Sequence, residues 1–321
     1  MQYTTLGRTG LSVGVAGLGC GGFSRLGLGT GGSEAEAVDL VREALDLGVN
    51  LLDTAAVYGT EEVVGKALRG VDRDRVVVCT KASKPAGAPQ FTAEAVLESL
   101  DVSLRRLALD HVDVFQLHAV PPDAYDHVRS AVVPALARAR EAGKFRFLGI
   151  TETAPADIEQ RMLHRAVQDD VWDTVMPAFH MMHQVARAQV FPFTRTRGIG
   201  TLLMFVVRGI FARPARLAET LRALAAEGKI DAALAEDTTP LGFLLHPAGA
   251  TSLTDAAYRY ARHEPGADVV LFGTGDRAHL RANVASILAP PLPASDRARL
   301  DAAFAHLRGV GLDVPPSATR G

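Results

Sequence analysis

The chain has few of the features that mark secreted, membrane-spanning or nucleic-acid-binding proteins. Its 321 residues include only two cysteines, Cys20 and Cys79, which excludes a disulfide-stabilised scaffold and predicts free thiols in a reducing compartment. Charge of either sign is not in excess, since 34 basic and 36 acidic residues give a formal net charge of -2. The longest apolar run, Leu202 to Val207, is too short to span a bilayer, and the opening MQYTTLGRTG lacks the apolar stretch of a signal peptide. We therefore expect a cytoplasmic globular protein that binds neither nucleic acid nor a membrane.

A short β-branched run followed by an amphipathic stretch rich in Ala, Leu and Arg recurs along the sequence. Eight runs have the character of buried strands, and they lie at residues 13–19, 50–53, 76–81, 112–118, 145–151, 173–177, 200–205 and 268–273. Helices are expected at residues 34–48, 92–107, 125–143, 252–264 and 276–288. Thr92 is placed to begin one helix, and Gly48 and Gly143 are placed to end two others. Because apolar strands that alternate with helices form a parallel sheet covered by those helices, eight such units predict a closed (β/α)8 TIM barrel.

We expect residues 1–321 to form a single barrel domain with two additions. Residues 1–15 contain two short strand-like stretches around an Arg-Thr-Gly turn, and they predict a β-hairpin that caps the bottom of the barrel. Residues 208–251 form a segment that is longer than a single connection between a strand and the next helix. This length predicts an insertion with a helix at about 214–226 and a large loop.

Two glycine runs keep a dinucleotide-binding Rossmann fold open as an alternative. Residues 17–22 and 27–32 both satisfy G-x-G-x-x-G, and Asp53 ends the next strand where a ribose-binding acid belongs. A Rossmann glycine turn joins a strand directly to a helix, however. The first run is not followed by a helix and the second is not preceded by a strand, so a glycine-rich loop over the barrel mouth is the favoured interpretation.

The polar residues at the strand ends are more specific. Asp53, Lys81 and His118 each stand at the C-terminal end of a successive predicted strand, and Tyr58 follows Asp53 in the next loop. In a barrel these ends share one face. A lysine cation favours the phenolate and lowers the pKa of a nearby tyrosine, while a buried aspartate keeps the lysine charged. With a histidine that hydrogen-bonds a carbonyl oxygen, the set predicts a site that protonates this oxygen as hydride reaches the carbon.

Four segments carry a resemblance to a known family. They are LLDTAAVYG (51–59), TK (80–81), QLH (116–118) and GKFRFLGIT (143–151). In order and spacing the chain resembles the aldo-keto reductases along nearly its whole length. The resemblance implies a (β/α)8 barrel that binds NADPH across its C-terminal face and reduces aldehydes or ketones, or oxidises the corresponding alcohols. It also implies that Tyr58 is the general acid/base, that Lys81 and Asp53 tune it, and that His118 orients the carbonyl.

The same resemblance implies where the cofactor binds. The expected cofactor-binding residues are Gly19, Cys20, Gly21, Asp53, Thr151, Glu152, Met176, Met204, Phe205, Arg208, Gly273, Thr274, Gly275, Arg277, His279 and Asn283. Asn283 is the residue expected at the adenine.

Several of these positions depart from the family's pattern near the nicotinamide. Thr151 and Glu152 stand where Ser-Asn usually holds the nicotinamide carboxamide, so the hydroxyl is kept and the amide is lost. Met176 replaces a frequent glutamine, and Met204 stands at the position of the aromatic residue that stacks on nicotinamide, with Phe205 next to it.

Further departures lie at the phosphate-binding positions. Arg208 falls in the segment that replaces a Ser-Pro-Leu sequence, where it could bind a phosphate directly. Gly275 lacks the side chain that often meets the 2'-phosphate, which leaves Arg277, His279 or Arg281 as substitutes. The departures leave NAD(H) open as the cofactor beside NADPH.

His180 and His183 form an H-x-x-H pair after the sixth predicted strand. Without a third ligand they predict a loop or core pair rather than a metal site, with substrate contact by His180 as an alternative. Phe179, Met181, Met182 and Phe211 are expected to form an apolar pocket wall or to fill the core.

The leading interpretation of the whole chain is an NADP(H)-dependent oxidoreductase acting on a small carbonyl compound or alcohol. Two alternatives stay open: a barrel enzyme of non-redox chemistry, such as a dehydratase or epimerase, and a non-catalytic cofactor-binding or regulatory protein on the same scaffold.

Overall fold

The computed structural model describes residues 1–237 and 239–313, in which eight parallel strands close into a barrel. The strands are β1 (Tyr3–Thr5), β2 (Ser12–Gly14), β3 (Ala16–Gly19), β4 (Leu51–Asp53), β5 (Val77–Ser83), β6 (Val112–Val120), β7 (Phe145–Glu152), β8 (Thr174–Met176), β9 (Gly200–Leu203) and β10 (Val269–Phe272). Strands β3 to β10 pair in chain order and β10 closes on β3, while β1 and β2 form a separate antiparallel hairpin. The predicted TIM barrel with an N-terminal hairpin is confirmed, and the closed sheet excludes the Rossmann alternative.

Helices follow the barrel strands and cover the outside of the sheet. They are α1 (Glu34–Asp46), α2 (Glu61–Ala67), α3 (Ala93–Leu107), α4 (Tyr125–His127), α5 (Val133–Glu141), α6 (Arg161–Ala166), α7 (Ala186–Gln189), α8 (Phe191–Arg197), α9 (Gly209–Ala212), α10 (Pro214–Ala226), α11 (Ala233–Glu236), α12 (Leu253–Arg262), α13 (Arg277–Leu288) and α14 (Ala294–Phe304). Within the described ranges, none of them combines the length and the apolarity needed to cross a membrane.

Most predicted elements differ from the observed ones by one or two residues at an end, and three differences have a local reason. The stretch 13–19 is two strands, because its first part pairs with β1 and its second part with β4 and β10. The helix expected at 125–143 is interrupted by a π-helical turn at Val128–Val132, two residues before Pro134, which has no amide proton to donate. Strand β9 ends at Leu203 rather than at 205, since Phe205 has a positive φ of 64° that leaves the extended conformation.

Other local predictions hold. The Thr92 hydroxyl accepts a hydrogen bond from the Ala95 amide and caps α3. Gly48 and Gly143 have φ of 85° and 77°, the left-handed conformation that ends a helix. Helix α10 covers the residues expected for the helix of the 208–251 segment.

The hairpin closes the N-terminal end of the barrel. Leu6, Leu11 and Val13 are buried in one cluster with apolar residues that point into the barrel from the strands. At the same end Gly7 approaches the first residue of β9 so closely that a Cβ atom would lie 2.3 Å from the Gly200 nitrogen. The predicted cap at the bottom of the barrel is therefore present, and the opposite end is left for a site.

Strand register brings chemically useful residues together at the C-terminal end. Gly19 pairs with Asp53, and Ser83 pairs with His118. On the other side of β7, Thr151 pairs with Met176. All these positions lie within two residues of the C-terminal end of their strands, so they surround the same end of the barrel.

The hairpin cap predicts a stability effect without an effect on the barrel mouth. Leu6 is fully buried, so Leu6→Ala should lower the free energy of unfolding by about 2–4 kcal/mol through lost burial and the resulting cavity. Leu245→Ala is the matched control, because Leu245 is 38% exposed and its truncation should cost under about 1 kcal/mol. Denaturant unfolding measures both, and equal losses would show that the hairpin does not fill the barrel end.

Candidate active site

A buried ion pair lies at the centre of the barrel mouth. The Lys81 ammonium donates to Asp53 Oδ2 at 2.7 Å and to the Thr54 carbonyl at 2.9 Å, and Lys81 is fully buried. The Gln116 amide donates to the other oxygen of Asp53, Oδ1, at 3.3 Å. Each charge therefore has a partner inside the protein, which is the condition for keeping both charges away from water.

Burial and mutual attraction shift the pKa values of both members of this ion pair. Burial raises the pKa of Asp53, and the Lys81 charge only partly offsets this. Burial lowers the pKa of Lys81, but the interactions with Asp53 and Tyr58 outweigh it and leave the pKa of the ammonium above its ordinary value. Lys81 is thus held as a cation under the barrel mouth.

Tyr58 and His118 meet above this pair. The Tyr58 hydroxyl lies 3.3 Å from His118 Nε2, and the two rings pack edge to face. The Lys81 nitrogen lies 5.1 Å from the centre of the Tyr58 ring. Tyr58 and the three residues predicted at the strand ends are thereby brought together in one cluster.

His118 is fixed on its other side by Ser83. The Ser83 hydroxyl lies 2.9 Å from His118 Nδ1. Burial and the nearby Lys81 charge lower the pKa of His118 to about 3, so the imidazole is neutral over the physiological range. When Nδ1 of this neutral imidazole accepts a hydrogen bond from the Ser83 hydroxyl, Nε2 carries the ring proton and is a donor toward the cavity.

The pKa of Tyr58 is shifted in the direction opposite to the prediction from the sequence. Its pKa is raised, because burial disfavours the phenolate more strongly than the Lys81 charge favours it. Lys81 acts in the expected direction but does not give a phenolate at rest. Tyr58 is accordingly a protonated donor in the absence of a reacting group.

The end of β3 supplies backbone rather than reactive side chains. The Cys20 amide donates to the Asp53 carbonyl at 2.8 Å, while burial raises the pKa of its thiol far above the ordinary value. A Cβ atom on Gly21 would lie 2.5 Å from the Tyr58 ring, so only glycine lets the chain pass there. At Gly19 a Cβ atom would meet the Phe272 carbonyl at 3.4 Å.

Two adjoining cavities open over the cluster. A cavity of about 1230 Å³ is lined by Tyr58 and His118 together with residues of the loops after β4 and β7. A second, of about 520 Å³, extends over β10 and the start of α13. The residues that line both are Gly22, Phe23, Tyr58, Met176, Met204, Phe205 and Arg208. Tyr58 therefore stands where the two spaces join.

Thr151 and Glu152 end β7 beside this junction, and both line the larger cavity. The Thr151 hydroxyl accepts from the Ala119 amide at 2.8 Å. Glu152 Oε1 accepts from the Ala178 amide at 2.6 Å and from the Gln160 side chain at 2.9 Å. Its other oxygen, Oε2, is buried and has no hydrogen-bond partner in the part of the chain that the structure describes. Burial raises the pKa of Glu152 to about 8.

Arg208 lies between two aromatic rings and not in open solvent. Its guanidinium carbon is 4.2 Å from the Phe205 ring centre and 5.3 Å from that of Phe23. Its Nε and Nη2 atoms are buried without a hydrogen-bond partner among residues 1–237 and 239–313. A partly buried cation with two free donors beside a cavity is suited to an anionic group.

Only some of the residues expected at the adenosine end of the cofactor line a cavity. Gly273, Thr274, His279 and Asn283 line the smaller cavity. A Cβ atom on Gly275 would lie 2.4 Å from the Cα of Gly27, so the second glycine run packs against this position.

Arg277 and Arg281 point to acidic side chains of α1. Arg277 pairs with Asp39 and Glu43 at 3.4 and 3.3 Å, and Arg281 pairs with Glu43 at 2.5 Å. Of the three substitutes considered for the 2'-phosphate, the geometry brings only His279 to the cavity wall.

The histidine pair after β8 is buried. His180 and His183 have ring centres 5.9 Å apart, and His180 packs edge to face on Phe211. The His183 Nδ1 atom accepts from the Gly309 amide at 3.3 Å. Among the described residues no group of three His, Cys, Asp or Glu side chains could hold a metal ion. Phe179, Met181, Met182 and Phe211 are core residues.

Three residues that hydrogen-bond to predicted site residues were not assigned roles from the sequence: Gln116, Ser83 and Gln160. A signal existed for two of them. Gln116 and Ser83 each stand two residues from a predicted catalytic residue on the same strand, and side chains at this spacing share a face. Gln160 has no such signal, because it reaches Glu152 from a loop where it adopts a φ of 52°.

The ion pair predicts a double-mutant effect. Lys81→Met should destabilise the fold by about 3–5 kcal/mol, because Asp53 is left as a buried charge without its partner. Burial raises the pKa of this carboxyl above its unfolded value, so the loss should be full at high pH and shrink as the pH falls and Asp53 is protonated. The control Asp53→Asn/Lys81→Met should recover most of the stability at neutral pH. Unfolding at pH 5 and pH 8 tests this, and a pH-independent loss would contradict it.

Comparisons with known proteins agree with this geometry. The model of the Aldo/keto reductase family matches residues 17–305. The chain is 35% identical over 209 residues to an L-galactose dehydrogenase of Arabidopsis thaliana, and 31% identical over 220 residues to the aldo-keto reductase YhdN of Bacillus subtilis. These matches cover 63% of this chain and 64% and 61% of the two relatives, so they span less than two thirds of either relative's length.

A solved structure shares the fold along nearly the whole chain. The aldo-keto reductase AKR11C1 from Bacillus halodurans superposes with a TM-score of 0.70 at 24% identity, over 96% of this chain and 98% of that one. At this identity the likeness concerns the fold. Taken with the family match over residues 17–305, it leads to one conclusion: the chain belongs to the aldo-keto reductase family.

Proposed function

We propose that this protein is an NADP(H)-dependent oxidoreductase that interconverts an aldehyde or ketone and its alcohol, with Tyr58 as the general acid/base. The observation that carries the proposal is the 3.3 Å separation of the Tyr58 hydroxyl and His118 Nε2 at the junction of the two cavities. One carbonyl oxygen placed there can accept hydrogen bonds from both groups. Two donors aimed at the same oxygen stabilise the negative charge that it gains during reduction.

The groups below Tyr58 support its role as proton donor. As the proton leaves Tyr58, a phenolate forms within reach of the Lys81 cation, which lowers the cost of that charge. Asp53 keeps Lys81 protonated, and Gln116 holds Asp53 in place. In the oxidative direction the same phenolate accepts the proton of the alcohol.

The cavity walls fit a nicotinamide dinucleotide. Arg208 has two donors without a partner among the described residues, and Gly19, Gly21 and Gly273 line the smaller cavity. Such a cofactor supplies the hydride when it is bound. With its phosphates at Arg208 and its adenosine at Asn283, its nicotinamide end would be held near Met176 and Met204, which line both cavities.

The choice of NADP(H) over NAD(H) rests on the adenosine end. His279 lines the smaller cavity and is the residue we assign to the 2'-phosphate. Arg277 and Arg281 already pair with α1 acids and would have to leave these pairs to reach a phosphate. We therefore expect a moderate preference for NADP(H).

The two other functions make different demands on the site. A dehydratase or epimerase would use Tyr58 and Lys81 as acid and base, but the Lys81 amine is charged, fully buried and already bonded to Asp53 and Thr54. A non-catalytic protein would not need the tyrosine and histidine to converge. The name of the Arabidopsis relative, a dehydrogenase, supports redox chemistry.

Tyr58→Phe should abolish most carbonyl reduction, by about 10²-fold or more, while cofactor affinity changes little, because only the proton donor is removed. Tyr3→Phe is the matched control, since Tyr3 lies exposed on the hairpin at the other barrel end. NADPH consumption with a panel of aldehydes measures the rates. Near wild-type turnover of Tyr58→Phe would remove this residue from the mechanism.

Arg208→Ala should weaken NADPH binding about ten- to a hundred-fold, or about 1.5–3 kcal/mol, the scale of a lost charge-assisted hydrogen bond. Turnover at saturating cofactor should fall much less. Arg213→Ala, an exposed arginine of the same segment, is the control. Fluorescence titration with NADPH gives the affinities, and equal values for Arg208→Ala and the wild type would leave Arg208 without a cofactor role.

A further inference from the structure

The cluster around Tyr58 does not explain why the carboxyl group of Glu152 is fixed at the barrel mouth. Glu152 is 3% exposed, and its Oε1 is fixed by two donors, the Ala178 amide and the Gln160 side chain. Gln160 is itself anchored, because its Nε2 also donates to the Ala178 carbonyl at 2.9 Å. Glu152 Oε2, in contrast, has no partner among the described residues. A buried carboxyl oxygen without a partner is costly, so the side chain is held in place for a group that the fold itself does not supply.

The position of Glu152 indicates which group this is. Glu152 follows Thr151, which pairs with Met176 across β7 and β8, and it lines the same cavity as Tyr58 and Met204. Hydride must be delivered to a carbon whose oxygen lies at Tyr58 and His118. The nicotinamide end of the proposed cofactor is therefore the ligand part that comes to this wall.

We propose that Glu152 is a specificity-determining residue that makes the site bind the oxidised cofactor more tightly than the reduced one, with release of a proton. The inference rests on the proposed nicotinamide dependence. The oxidised nicotinamide ring carries a positive charge that the reduced ring lacks, and a carboxylate nearby attracts only the charged form. A neutral amide at this place would not distinguish the two by charge.

The titration of Glu152 supports the proton release. Its burial, with the nearby Asp157 charge, raises the carboxyl pKa to about 8, so the group is mostly protonated at pH 7 when no cation is near. Asp157 stands in the loop behind it and pairs with Arg161 at 3.1 Å. In the loop after β8, burial keeps His180 neutral. The other titratable or charged residues that share its cavity are Arg25, Tyr58, Glu61, Glu62, Arg106, His118 and Arg208. A bound nicotinamide cation would lower the pKa of Glu152 and drive off its proton.

The test compares cofactor binding by the wild type, Glu152→Gln and the control Glu62→Gln. Glutamine keeps the oxygen that accepts from Ala178 and Gln160, so the variant should fold, and Glu62 is an exposed acid on the wall of the same cavity. Calorimetric titration with NADP+ and with NADPH at pH 7, in buffers of different ionisation enthalpy, gives both affinities and the protons released.

The wild type and Glu62→Gln should release a proton with NADP+ and much less with NADPH. In Glu152→Gln the release should vanish, and the preference for NADP+ over NADPH should fall by about tenfold or more, as for the loss of one nearby charge. Equal proton release and an unchanged preference in Glu152→Gln would overturn the role of Glu152 while leaving the proposed function intact. Binding of neither cofactor by the wild type would overturn both.

Discussion

The buried ion pair of Lys81 and Asp53 is the interaction on which the barrel mouth depends. Two charges in the core are tolerated only because each has fixed partners: Thr54 for the ammonium, and Gln116 for the second carboxylate oxygen. The pair holds a cation beneath Tyr58, where a phenolate would form. Burial alone makes that tyrosine a weaker acid, so the lysine offsets a cost that the closed site itself creates.

Strand register positions His118 and its partner Ser83, whereas loops form the wall that we assign to the cofactor. Ser83 and His118 pair directly across β5 and β6, which fixes the imidazole against a hydroxyl. The wall that we assign to the cofactor depends instead on residues that leave regular structure, such as Phe205 and Gln160 with positive φ. The Ser83–His118 contact therefore depends on strand register, whereas the wall proposed for the cofactor depends on loop conformation.

Sequence reasoning reached the parts of the structure that depend on periodicity. The eight strands followed from the alternation of strands and helices. Asp53, Lys81 and His118 followed from their strand-end positions, and Tyr58 from its place in the loop after Asp53. It did not reach contacts made between distant segments. The packing of Gly27 on Gly275 and the anchoring of Glu152 by Gln160 involve loops whose conformations no local pattern encodes. The predicted direction of the Tyr58 pKa shift is wrong, because the burial that raises this pKa depends on the whole fold.

The central claim is that the site passes a proton from Tyr58 to an oxygen while hydride reaches the adjoining carbon. Deuterium labelling tests it most directly: the protein is incubated with a panel of aldehydes and NADPH labelled at C4 on one face or the other, and the alcohols are analysed by mass spectrometry. The account predicts deuterium on the carbinol carbon from one of the two labels only. Conversion of a hydroxylated or carbonyl compound with solvent-derived hydrogen at carbon, and with no consumption of cofactor, would contradict it.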